Sequence, residues 1–144
     1  MIRHKVCPIV LKKNQARLDI LLFQHPNAGI QLVKGTPDPD EDLIQAAARE
    51  LWEESGLKVN PDSLHYLGEK IFSIVNQQWH FYYCESNENR MQWSWQTIDD
   101  HGHTFDFFWS DLHNIHQKMK DWKMHPVFSD VLLYIQKHFK QGHK

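Results

Sequence analysis

The sequence predicts an α/β protein in which a β-sheet is covered by helices. Apolar, β-branched stretches at 4–11 and 18–24 come before an amphipathic helical pattern at 41–55. Further strand-like stretches follow it, and a second amphipathic pattern stands at 126–139. Strands on both sides of one helix, with another helix after them, require layers that bury each other's apolar faces. The chain has 144 residues, 41% hydrophobic and 24% charged. One domain over 1–144 is then expected, large enough to bury a core without disulfide or metal staples.

The elements read in order as follows. Residues 4–11 and 18–24 are strands joined by a turn at Asn14-Gln15. Asn27-Ala28-Gly29 marks a second turn, and 30–33 a short strand. KGTPDPDED then packs two prolines and four acids into a loop, ending where Asp40 or a neighbour can cap a helix. The helix runs over 41–55, with Gly56 as the natural residue past its end. At 100° per residue Ile44, Ala48 and Leu51 share one face, flanked by Ala47 and Trp52, and Glu50 and Glu54 fall opposite, with Glu53 close by. Strands are expected at 64–75 and 78–84 around a turn at Asn76-Gln77, then at MQWSWQTI and TFDFFW on either side of the loop DDHGH. The last helix starts at Pro126 and carries Val127, Val131, Leu132, Ile135 and Phe139.

Composition narrows the function. A net charge of −2 leaves no basic footprint for nucleic acid and no polybasic membrane patch. No apolar run approaches a membrane span, and MIRHKVCPIV lacks the order of a signal peptide, so a cytoplasmic protein is expected. Cys7 and Cys84 sit in strand-like stretches without metal spacing and read as buried thiols. Eleven histidines are scattered; His101 and His103 are the tightest pair and read as loop residues. A homodimer is compatible with the sequence.

One stretch does not fit a purely structural reading. RELWEESGL, residues 49–57, crowds Glu50, Glu53 and Glu54 together, where like charges repel by about a few tenths of a kcal/mol per pair. Three glutamates alone would describe a solvated acidic helix face. Positions i, i+3 and i+4, however, bring three carboxylates to one spot, and a hard cation such as Mg²⁺ takes oxygen ligands of this kind together with substrate phosphates. Arg49, four before Glu53, can pair with it and fix its rotamer. Over a longer range, Gly35 is followed six positions on by Glu41, and eight further on by Arg49-Glu50, then Leu51, Glu53, Glu54, Gly56 and Leu57.

This run resembles the signature of the Nudix hydrolases, Gx5Ex7REUxEExGU with U aliphatic. Every fixed letter and both aliphatic positions match over 35–57. The flanking strands and terminal helix are similar to that family's layout, so the resemblance spans essentially the whole chain. It implies an α/β/α sandwich with a central mixed sheet. It also implies hydrolysis of the pyrophosphate of a nucleoside diphosphate linked to another group. Alternatives are a nucleoside triphosphate or dinucleoside polyphosphate hydrolase, an RNA 5′-end processing enzyme, and a non-catalytic nucleotide sensor. The resemblance makes Glu50, Glu53 and Glu54 ligands of Mg²⁺ or Mn²⁺, with the Gly35 carbonyl a further ligand or loop pivot. Arg49 and Glu41 would order them, and Lys34 would reach a phosphate. Glu53 is the first choice of base; Glu85, Glu88, Asp99, Asp100 and Asp106 are others. Asp40 stands where many relatives have glycine. The expected partner is a small nucleotide, with Trp79 and Trp93 chosen to line its pocket, although core packing is the better reading of any single aromatic.

Overall fold

The computed structural model describes residues 1–98 and 102–139. Its strands are β1 (Arg3–Asn14), β2 (Arg17–His25), β3 (Gly29–Gln31), β4 (His65–Phe72), β5 (Gln77–Glu85), β6 (Gln92–Gln96) and β7 (Thr104–Asp111). Its α-helices are α1 (Leu43–Ser55), α2 (Ile115–Met119) and α3 (Pro126–His138). The strands form one seven-stranded sheet in the order β4-β5-β1-β2-β7-β6, with β3 paired to β2. β1 and β5 run parallel and the other pairs antiparallel. The sheet is therefore mixed, as the resemblance implies.

Side-chain alternation sends the two faces of β1 into different cores. Val6 and Val10 join Ala46, Ala47 and Leu51 under α1, while Cys7, Ile9 and Leu11 join Val127, Val131 and Ile135 under α3. Both cysteines are buried free thiols, and burial pushes the Cys84 thiol up to about 11.

The feature that positions the site is a fork. The β1–β2 ladder runs only from Leu11↔Ile20 to Asn14↔Arg17. Nearer its start β1 has an unclaimed edge, and Val6 there exchanges two backbone hydrogen bonds with Gly35, 2.9 and 3.0 Å. The loop after β3 is thus stitched into the sheet between the diverging strands.

Several boundaries differ from the sequence expectation. β4 ends at Phe72, and the turn before β5 puts Asn76 at φ 54°. α1 starts at Leu43 with Asp42 as its N-cap, and no side chain bonds that end, so Asp40 does not cap it. α3 is capped by His125, whose Nδ1 accepts from the Val127 N–H. α2 and the 3-10 turns Pro61–Ser63 and Leu112–Asn114 are too short to leave a periodic signal. Among the described residues no helix is long and apolar enough to cross a membrane.

Candidate active site

α1 is rotated from the orientation that apolar spacing suggests. Its buried side holds Ala46, Ala47, Ala48, Leu51 and Ser55, and also Glu50, which is only 8% exposed. Three consecutive alanines leave the helix little side-chain bulk there, and the packed stripe shifts toward Ala47. Trp52, expected on the packed flank, is instead 41% exposed and touches Trp95. The glutamates consequently do not lie opposite the core: Glu50 stands at the seam between α1 and the sheet.

At that seam Glu50 meets Gly35. A Cβ on Gly35 would coincide with the Glu50 carboxyl carbon and both its oxygens. Gly35 is not among the positive-φ residues, so its lack of a side chain serves close approach and not backbone freedom. Its carbonyl accepts from Val6 N–H, and one lone pair stays available.

Arg49 gathers the acids. Its Nε and Nη2 bond both oxygens of Glu41 at 2.8 Å, its Nη1 bonds Glu50 Oε2 at 3.0 Å and Glu53 Oε1 at 3.1 Å, and Nη2 also reaches the Thr36 carbonyl at 3.2 Å. The paired bonds from Arg49 hold the Glu41 carboxyl below its usual range, and Glu41 in turn raises the guanidinium. The helix and the loop are thereby tied together at one cation. Among the described residues no three acidic, histidine or cysteine side chains already converge as a metal cage. The donors are nonetheless of the right chemistry: carboxylate oxygens beside a glycine carbonyl suit a hard divalent cation, and Glu50 and Glu53 face one guanidinium nitrogen where such a cation would compete.

On the other face of the sheet from α1 lies Lys5, a cation that sequence reasoning missed, in the neighbourhood of Lys34, which it named. Lys5 Nζ bonds Thr36 Oγ1 at 2.7 Å. Burial lowers its pKa, then Lys34 and Arg3 lower it further, while Glu50 and Glu54 raise it. Lys5 therefore feels both the neighbouring cations and the carboxylates of α1. The only signal in the sequence is the i, i+2 spacing of Arg3 and Lys5, which puts both on one face of a strand. Lys34 also borders a cleft of about 460 Å³. Val75, Val127 and Phe128 supply its apolar walls, and Gln31, Gln77, Lys123 and His125 its polar ones. Such a volume is within the usual range for small-molecule sites.

The remaining candidates are dispersed. Trp79 borders this cleft but is 0% exposed, packed against Phe72, Phe81 and Phe128, with its indole N–H donated to Gln77. As it stands, it offers no free face for stacking on a base. Trp93 stacks on Phe107 and donates to the Ser55 carbonyl, so its polar atom serves α1. Glu85 lies opposite Leu11 in the β1–β5 ladder, five positions from Val6, or about 16 Å along a strand. Glu88, just beyond β5, is engaged by Arg90. Asp106 lies between Phe105 and Phe107 of the α1-side core, so it points to the opposite face, where it accepts from Ser94. Asp99, Asp100 and His101 lie outside the described residues.

Comparison with known proteins gives a consistent picture. The NUDIX domain model matches residues 2–131. No curated protein sequence matches the chain. The fold is similar to the NUDIX domain of Shewanella oneidensis NrtR complexed with ADP ribose, with a TM-score of 0.68 at 15% identity over 97% of this chain and 90% of that one. It is also similar to a C. elegans Ap4A hydrolase binary complex, with a TM-score of 0.60 at 18% identity over 94% and 97%. A MutT/nudix family protein from Enterococcus faecalis gives 0.62 at 16% identity over 77% of this chain, which spans 44% of that longer protein. At such identities the likeness is one of fold.

Proposed function

This chain belongs to the Nudix family, and we propose that it is a divalent-metal-dependent hydrolase. Its reaction is cleavage of the pyrophosphate in a nucleoside diphosphate linked to another moiety. The observation that carries this reading is the seating of the Glu50 carboxylate on Gly35 beside Arg49. A solvated acidic helix face has no reason to bury a carboxylate on a side-chain-free residue, since burial of a charge is costly unless it is paired.

Glu50, Glu53 and Glu54 would hold Mg²⁺ or Mn²⁺, with the Gly35 carbonyl beside them. Such an ion would supply neutralisation of the pyrophosphate charge and would acidify a water for attack. Arg49 orients Glu50 and Glu53 and shares its charge between them. It bonds only Oε1 of Glu53, so Oε2 is the oxygen assigned to take the proton of the attacking water. Lys34 and Lys5 present cations to the phosphate chain, and the cleft beyond Lys34 receives the nucleoside. Two neighbours of the same fold, one bound to ADP ribose and one an Ap4A hydrolase, support a nucleotide derivative as the substrate.

The test is the purified chain with Mg²⁺ or Mn²⁺ against a panel of nucleotide derivatives, reading phosphate or nucleotide release, with Glu53→Gln alongside. Turnover that collapses in Glu53→Gln is expected. Equal rates in both proteins would overturn the site, and tight binding of one compound without turnover would make the chain a nucleotide sensor.

A further inference from the structure

We propose that Trp95, backed by Trp93, is a positioning residue for Glu53, holding the end of α1 to the sheet so that the carboxylate ridge keeps its place opposite Gly35. This rests on the reading of Glu53 as a metal-site residue.

The last carbonyls of a helix have no partner within it. In α1, which ends at Ser55, the Trp52 carbonyl takes the Gly56 N–H at 2.9 Å. The Glu53 carbonyl takes the Trp95 indole N–H at 3.0 Å and the Ile98 N–H at 3.2 Å. The Ser55 carbonyl takes the Trp93 indole N–H at 2.9 Å. The final turn carries no basic side chain to answer the helix dipole. Two indoles from a neighbouring strand therefore cap the turn that bears Glu53 and Glu54.

Both donors are rigidly held. Trp93 and Trp95 are two apart on β6, so their rings leave the strand on the same side. Trp93 lies flat against Phe107, with centroids 5.3 Å apart and planes at 12°, and Arg90 stands 4.4 Å over its ring. Trp95 contacts Trp52 and closes on Gly56, where an added Cβ would come within 2.6 Å of the ring. Gly56 is also at φ +78°, so glycine is required there twice over.

The two ends of the acid ridge are thus referenced to one sheet by separate routes. Glu50 is set through Gly35 and β1, and Glu53 through its own carbonyl and β6. Helix ends fray readily, and fraying of this turn would separate Glu53 and Glu54 from Glu50. Ring packing alone would be served by phenylalanine; the indole N–H is the part that reaches the helix.

The experiment uses the full chain and Mn²⁺ alone as the probe, titrated well below the melting temperature. Trp95→Phe and Trp93→Phe/Trp95→Phe keep the aromatic packing and remove the donors. Trp109→Phe is the control: its ring packs beside Trp93, but the indole bond it deletes ends on the Arg90 carbonyl and not on α1. Mn²⁺ affinity is expected to fall about tenfold in the double variant, less in Trp95→Phe, and not in Trp109→Phe. Wild-type affinity in the double variant, or an equal loss in the control, overturns the positioning role. Should Glu53→Gln itself bind Mn²⁺ like the wild type, the metal-site reading is what fails.

Discussion

Gly35→Ala isolates the contact on which the site depends. The added methyl would occupy the space of the Glu50 carboxyl group. Restoring an ordinary carbon–carbon separation of about 3.5–4.0 Å requires the carboxyl to move by roughly 1.5–2 Å. The group that yields is the tip of a side chain, because Gly35 itself is fixed to Val6 by two backbone hydrogen bonds. Misplacement of a reacting group by about 1 Å can cost on the order of a hundredfold in rate, so kcat/KM should fall by about that factor. Stability should change little. Alanine at a compatible φ gains about 0.4–1 kcal/mol through the unfolded chain, and an off-rotamer glutamate costs about 0.5–1.5 kcal/mol. The net shift in melting temperature is then a few degrees at most, at about 2–4 °C per kcal/mol for a chain of this size. Steady-state kinetics and a thermal melt on the same preparation check both halves. Wild-type kcat/KM in Gly35→Ala would refute the assignment of Glu50 to the site, and gross unfolding would show that Glu50 could not yield.

Arg49→Lys keeps the charge but loses the fork that bonds Glu41 at two points while reaching Glu50 and Glu53; it should cost about 1–3 kcal/mol in a denaturant melt and lower kcat more than it raises KM. Mn²⁺ at a hundred times its Kd should raise wild-type stability by about 2.7 kcal/mol, and differential scanning calorimetry should show that rise abolished in Glu50→Gln. Lys5→Met should raise KM for a pyrophosphate substrate while leaving the melting temperature nearly unchanged. Arg90 holds the Glu88 carboxyl down to about 2, below the ordinary glutamate value of about 4.3. A depressed folded-state pKa contributes stability above the ordinary value and loses it as pH falls toward about 2. Melting temperature should therefore drop more steeply below about pH 4 in the wild type than in Glu88→Gln, and parallel curves would contradict this.

What was legible in the sequence was what depends on spacing along the chain. The run from Gly35 to Leu57 identifies the box, Gly56 marks the end of α1, and Pro126 the start of α3. The rotation of α1 was not legible, because counting Trp52 as apolar pulls the predicted stripe toward it, whereas the alanines decide which side comes close to β1. The sequence offers Arg49 as a partner for Glu53 alone; that it answers Glu50 and Glu53 together depends on the fold. Replacing those two by glutamine would remove ion pairs as well as repulsion. The work of Trp93 and Trp95 was hidden for the same reason: their partners, Ser55 and Glu53, are some forty residues away. The fork between β1 and β2 is a matter of three-dimensional pairing, with no motif of its own.

That fork also sets how readily the site can open. Loops that carry ligands usually belong to the least protected parts of a protein, opening at little cost. Here the loop leaves its amide and carbonyl at Gly35 in register with a central strand that β5 flanks on its other edge. The Gly35 and Val6 amides should therefore exchange with deuterium on the slow timescale of the sheet. The floor of the site should then open no more readily than the strand it pairs with.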